Sequence, residues 1–227
     1  MAALTVVFDL DGTLIDTAPD LVDALNAVLA RNGLPYLPHA EARNMIGGGA
    51  RRMLELALKA HGRACSGAEL DRLFENFVAH YSAHVADRSR PYPGVVEAMD
   101  ELAARGCRLA VCTNKLEALT RLLLDALGLT VRFAAICGQD TFGVQKPNPE
   151  MLRRTVLAAG GDITQAVMVG DSHNDIDAAR GAGIPVVAVD FGYTETPVAA
   201  LGPDKIISHF SDLPAAIDEV CGPWRGA

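Results

Sequence analysis

The 227-residue chain is short of positive charge: 20 lysines and arginines stand against 28 aspartates and glutamates, for a formal net charge of −8. The basic residues are scattered and form no run, which excludes tracking along a nucleic-acid backbone. Any anionic ligand must be attracted locally, by a metal ion or a few placed cations. Long hydrophobic runs are also missing. The longest apolar stretches fall far short of the roughly 20 residues that span a bilayer, and the first residues carry no basic segment leading into a long apolar one. The expectation is a cytoplasmic protein that engages neither membrane nor nucleic acid. Cysteine is scarce: Cys65, Cys107, Cys112, Cys137 and Cys221 are odd in number and show no C-x-x-C spacing. That pattern argues against a disulfide framework and against a zinc site, and favours free thiols, those of Cys112 and Cys137 buried in strands. No low-complexity tract and no internal repeat interrupts the chain.

What the chain does have is apolar residues, half of the total, in a definite rhythm. From about residue 91 onward, short β-branched runs alternate with amphipathic helical patterns. The runs are Arg108 to Cys112, Ala134 to Cys137, Ala166 to Val169 and Val186 to Val189, with a weaker one at Lys205 to Ile207. The helical patterns are Val95 to Arg105, Glu117 to Leu127, Pro149 to Ala159 and Asp175 to Ala182. Such alternation predicts a parallel sheet covered by helices on both faces, and Leu4 to Phe8 joins it as a further strand. Residues 17–88 break the rhythm and read as helices only. Leu21, Val22, Leu25, Val28 and Leu29 mark one stripe, and Leu70, Leu73, Phe74, Phe77, Val78, Tyr81 and Val85 another. Ser66 to Glu69 spells a capping box ahead of the second, and a third helix covers Arg51 to Ala60 after Gly47-Gly48-Gly49. The fold class is therefore α/β, a Rossmann-like parallel sheet with an inserted helical cap: residues 1–15 and 91–227 form the core, and 16–90 the cap.

Ligands of an open parallel sheet bind beyond the carboxyl ends of its strands. The polar residues following each run are Asp9 and Asp11, then Thr113, Asn114 and Lys115, then Lys146 ahead of a helix, then Asp171 and Asp175. So many oxygen donors suit a hard cation, Mg²⁺ above all. Such a cation would keep the carboxylates ionised, and Asp9 could then attack phosphorus. Thr113 and Lys146 would hold the phosphoryl oxygens as charge develops. Gly12 allows the chain to turn so that Asp11 reaches the leaving-group side, as general acid and then general base.

Together, "DLDGTLID" (Asp9 to Asp16), "VCTNK" (Val111 to Lys115), "KPNPEML" (Lys146 to Leu152) and "VGDSHNDIDAAR" (Val169 to Arg180) resemble the haloacid dehalogenase superfamily, in its motif order and over essentially the whole chain. The resemblance implies a phosphatase with Asp9 as nucleophile and Mg²⁺ ligand. Asp11 would be the acid/base and a ligand through its backbone carbonyl, Thr113 and Lys146 the phosphoryl-binding residues, Asn114 a further substrate-binding residue, and Asp171 the remaining ligand, with Asp175 acting from behind or through water. Attack on carbon needs no second aspartate, so Asp11 disfavours dehalogenation. The helical block looks like that family's cap. "FDLDGTLIDTAPDL", "IGGGARRML" (Ile46 to Leu54) and "DFGYTE" (Asp190 to Glu195) look like its phosphoglycolate phosphatase branch. This implies a small phosphorylated metabolite as substrate, with Gly48 and Arg51 or Arg52 reading it from the cap, in a monomer or homodimer.

Plainer readings stand beside these. Gly47 to Gly49 reads equally as a hinge, Arg51 and Arg52 as solvated charges, Asp175 as a helix-start residue, and Lys115 as a solvated lysine at a helix start. His173 is a polar loop position, and His80 and His84 share a helix face. Other activities compatible with the same machinery are another small phosphatase, a pyrophosphatase, or a sugar-phosphate mutase resembling β-phosphoglucomutase. A phospho-aspartate receiver module uses similar residues, but places its aspartate on a later strand in a chain about half as long.

Overall fold

The computed structural model describes residues 3–194 and 196–222. The sheet strands are β1 (Thr5–Phe8), β4 (Arg108–Cys112), β5 (Ala135–Cys137), β6 (Ala166–Gly170), β7 (Val186–Val189) and β8 (Lys205–Ile207). All pair in parallel, in the order β5-β4-β1-β6-β7-β8. Between them run α5 (Val95–Ala104), α6 (Glu117–Ala126), α7 (Pro149–Ala158) and α8 (His173–Ala182), with α9 (Leu213–Cys221) after the last strand. The β-branched runs became strands because both faces of the sheet are covered and no polar side chain is required on either.

Period 2 divides the core. Val6 and Phe8 of β1 point into one apolar cluster, with Leu102 of α5 and Ile217 of α9. Val7 points into the other, with Met151 of α7 and Ile176 of α8. At about 1.5–3 kcal/mol for each large apolar side chain buried, these two faces dominate the stabilisation of the sheet. The free thiols of Cys112 and Cys137 are buried in β4 and β5.

Residues 18–83 hold α1 (Ala18–Arg31), α2 (His39–Arg43), α3 (Ala50–Ala60) and α4 (Gly67–Ala83). The expected stripes are buried: Leu21, Leu25 and Leu29 on α1, and Leu70, Leu73, Phe77 and Tyr81 on α4. The apolar cluster on the Phe8 face continues through Leu10 and Leu14 into these helices. At Ser66 only half of the capping box forms. Ser66 Oγ accepts the Glu69 N–H at 3.2 Å, while the Glu69 carboxylate turns to Arg63, a charged partner that outbids a backbone amide.

Four further elements have weak sequence signals. Helix α2 is a single short turn, and α9 follows the weakest strand. Ile15–Asp16 (β2) pairs antiparallel with Arg90–Pro91 (β3), tying the two chain crossings between the helical block and the sheet. Asp20, at the start of α1, closes that junction. Its buried carboxylate accepts from Arg88 N (3.0 Å), Ser89 N (2.8 Å) and Ser89 Oγ (2.6 Å). Removing it strands these donors, so Asp20→Ala should cost about 2–4 kcal/mol, read as a lower midpoint in urea denaturation.

Candidate active site

Strand β1 lies between β4 and β6, where the sheet's connections reverse direction, so their three carboxyl ends open onto one crevice. Phe8 is level with Val111 on one side and Val169 on the other. The Asp9 N–H donates to Val169 O at 2.9 Å and the Thr113 N–H to Cys137 O at 3.0 Å, so both residues are fixed by their backbones at the sheet's edge. Carboxylate oxygens of Asp9, Asp171 and Asp175 lie within 4.8 Å of one another, all buried.

Lys146 supplies charge to two of the three. Its Nζ is 2.8 Å from Asp9 Oδ1 and 2.6 Å from Asp175 Oδ1. Burial alone would lower the Lys146 pKa, but Asp175 and Asp9 hold it above the ordinary lysine value. Asn114 sets the position of this lysine. Its Oδ1 accepts the Lys146 N–H at 2.9 Å, and its Nδ2 donates to Lys146 O at 3.0 Å and to Gly47 O, in the helical block, at 3.2 Å. The Asn114 side chain, expected among the substrate-binding groups, is thus engaged with backbone. Asp175 sits at the start of α8, as the helix-start reading has it, and completes a capping box there with Ser172; it also pairs with Lys146, a contact the sequence did not indicate, and α8 begins two residues earlier than the periodicity indicates.

Asp171 has a different environment. It accepts from Thr13 Oγ1 (3.1 Å) and from Tyr193 N (2.7 Å), and among the described residues it pairs with no lysine or arginine. Burial, followed by the charges of Asp175 and Asp9, pushes its pKa well up. Burial, against the pull of Lys146, raises Asp9 to about 6. Three buried carboxylates thus share a single ammonium, and the one without it faces the other two. An all-oxygen donor set short of positive charge fits a hard divalent cation.

Gly12 is required here. Its φ is +85°, and a Cβ would sit 2.6 Å from Asp171 Oδ2 and 2.9 Å from the Tyr193 ring. Tyr193 belongs to the string Asp190 to Glu195, of which Glu195 lies outside the described residues. Its hydroxyl donates to Asp16 Oδ1 (2.5 Å) and accepts from Ala18 N (2.9 Å), and Arg43 of α2 covers its ring at 4.9 Å. Neither Tyr193 nor Thr13 was singled out from the sequence, because the contacts that matter are made across the fold.

Asp11 stands apart from the three clustered carboxylates, in a cavity of about 30 Å³ between the sheet edge and α1, α3 and α4. Its partner corrects an expectation. Lys115, read as solvated, is buried, with its Nζ 3.0 and 3.1 Å from Asp11 Oδ1 and Oδ2 and 4.4 Å from the centroid of the Tyr81 ring on α4. Burial alone would lower its pKa, yet Asp11 and Tyr81 hold it above the ordinary lysine value. Thr113 to Lys115 follow β4 as expected, but packing against α4 converts the last of them from surface to interior. Asp9, Thr113 and Asn114 line the same cavity, as does Gly47. Gly48 and Arg52 instead line a broad outer cleft with Lys146 and Ser172. The Arg52 guanidinium pairs with Glu55 at 3.2 Å, its side chain 59% exposed, and Arg51 pairs with Asp71.

Residues 6–189 match the family of haloacid dehalogenase-like hydrolases. The chain belongs to that family. A phosphoglycolate phosphatase of Mesorhizobium japonicum is 52% identical over 96% of both chains, and one of Caulobacter vibrioides is 49% identical over 93% of this chain and 90% of its own length. Among solved structures, that of a predicted phosphoglycolate phosphatase from Haemophilus somnus superposes with a TM-score of 0.87 at 32% identity, over 94% of this hydrolase and 97% of that chain. No helix among the hydrolase's described residues is long and apolar enough to cross a membrane.

The charge deficit at Asp171 yields a test independent of catalysis. Adding Mg²⁺ to chelator-treated hydrolase should raise its melting temperature, by about 2.7 kcal/mol of stabilisation at a hundredfold excess over Kd. Asp171→Asn should lose most of that response in a thermal-shift titration.

Proposed function

We propose that this hydrolase cleaves 2-phosphoglycolate to glycolate and phosphate, through an aspartyl-phosphate formed on Asp9, with Mg²⁺ as cofactor. The reaction class rests on one observation above the others: Asp9 and Lys146 are in contact at the sheet edge, 2.8 Å apart, within a carboxylate cluster that lacks one counter-charge. The substrate reading is supported by the name shared by relatives 46–52% identical to this chain. It is also supported by the small cavity beside Asp11, which has room for about two water-sized groups.

In this reading a carboxylate oxygen of Asp9 attacks phosphorus and the ester oxygen departs, taking a proton from Asp11. Asp11 then removes a proton from the water that attacks the phosphorus of the aspartyl-phosphate, freeing Asp9 and releasing phosphate. Lys146 neutralises the phosphoryl oxygens in both steps, and the Thr113 hydroxyl, at the end of β4, donates to one of them. Asn114 acts through Lys146, holding its backbone in place. Mg²⁺, held by Asp9, Asp171 and the Asp11 backbone carbonyl, would supply the missing positive charge and screen the phosphate from the attacking carboxylate. Residues 16–90 would serve as the cap domain, excluding bulk water from the small cavity against a core of 1–15 and 91–227.

Asp9→Asn should reduce turnover by at least about a thousandfold, more than 4 kcal/mol in the barrier, with an unchanged circular dichroism spectrum; substantial residual turnover excludes Asp9 as the nucleophile. Across a panel of phosphorylated metabolites with Mg²⁺, kcat/KM for 2-phosphoglycolate should exceed that for hexose phosphates at least about tenfold. The same panel in excess chelator should show no turnover. A hexose phosphate hydrolysed as well as 2-phosphoglycolate would remove the substrate assignment while leaving the reaction class intact.

A further inference from the structure

Tyr81 is fully buried on α4, and its hydroxyl is among the few buried side-chain polar atoms without a hydrogen-bond partner. An orphaned hydroxyl in the interior costs about 1–3 kcal/mol relative to a satisfied one. The ring is accounted for, since it stacks on Phe77 at 5.9 Å and carries Lys115 over its face. A phenylalanine would do both without the cost.

Tyr81 and Lys115 both line the small cavity beside Asp11. Lys115 is the only lysine or arginine among the described residues lining it; Lys146 is engaged with Asp9 and Asp175, and Arg52 lies in the outer cleft. An ammonium has three donors. The two oxygens of Asp11 can occupy two of them, and at least one remains for another acceptor. Most of the remaining lining is apolar, including Leu21, Met53 and Leu119. The lining therefore combines apolar side chains with one ammonium and one tyrosine whose hydroxyl has no partner.

We infer that Tyr81 and Lys115 form a carboxylate subsite: the Tyr81 hydroxyl and the free donor of Lys115 bind the acid group of the substrate while its phosphate lies at Asp9. The inference rests on the 2-phosphoglycolate reading and assigns it a recognition element. Binding places the acid group on the same ammonium that holds Asp11. One lysine thereby couples recognition of the carboxylate to the position of the proton-transfer group. A phosphate ester whose alcohol part bears no carboxylate leaves the Tyr81 hydroxyl unpaired, and the site is then penalised for accepting it.

The test compares kcat/KM for 2-phosphoglycolate with that for ethyl phosphate, which replaces the carboxylate by a methyl group, in the wild type and in Tyr81→Phe. The substitution removes one oxygen that has no partner, so the melting temperature should hold or rise. The 2-phosphoglycolate to ethyl phosphate ratio should fall about tenfold, or ~1.4 kcal/mol. Lys115→Met should lower the same ratio and, by releasing Asp11, also slow ethyl phosphate. A high wild-type ratio that persists within twofold in Tyr81→Phe overturns the subsite while sparing the substrate reading. A wild-type ratio near one overturns both.

Discussion

The concentration of negative charge at the end of β1 governs the rest of this structure. Asp9, Asp171 and Asp175 are buried together around one ammonium, and ionised carboxylates are tolerated in such surroundings only when charges and hydrogen bonds offset their desolvation. Each neighbouring feature supplies part of that offset. Lys146 serves Asp9 and Asp175, while backbone and side-chain groups of the α8 start serve Asp175. Thr13 and the Tyr193 amide serve Asp171. What is left over is a deficit of positive charge on the Asp171 side, which suits a hard cation.

The same constraint shapes the approach of the helical block. Asn114 bonds both to Lys146 and to the carbonyl of Gly47, so the residue that positions the ammonium also touches the loop entering α3. Gly49, with φ of +84°, brings that loop against the Asn114 carbonyl, where a Cβ would come within 3.0 Å. On the other side, Tyr193 links Asp171 through its amide to Asp16 and the start of α1 through its hydroxyl. The charged cluster and the covering helices are therefore mechanically joined at two points, and a second carboxylate–ammonium pair, Asp11 with Lys115, fills the space between them.

Much of this was legible in the sequence, for identifiable reasons. A strand buried on both faces must be apolar throughout, which is why Val186 to Val189 and, after its first residue, Arg108 to Cys112 carry the bounds that the structure gives them. The polar residues behind them stand out because nothing else interrupts the apolar runs. Legibility failed where a residue's surroundings come from elsewhere in the chain. Lys115 reads as a solvated lysine at a helix start but is buried against Tyr81 of α4. Arg52 follows a glycine loop as expected, yet its helix directs it to the outer cleft.

The sequence by itself determined the order of strands and helices, the identity of the family, and the carboxylates that crowd the end of β1, since periodicity and motif order are properties of the chain alone. Only the tertiary structure decided which charges became interior and which polar atoms went unpaired. Lys115 was one more lysine at a helix start until α4 covered it, and Tyr81 one more apolar-stripe residue until its hydroxyl was buried without a partner. Burial and partnership are set by contacts between distant segments, and no local pattern of residues encodes them.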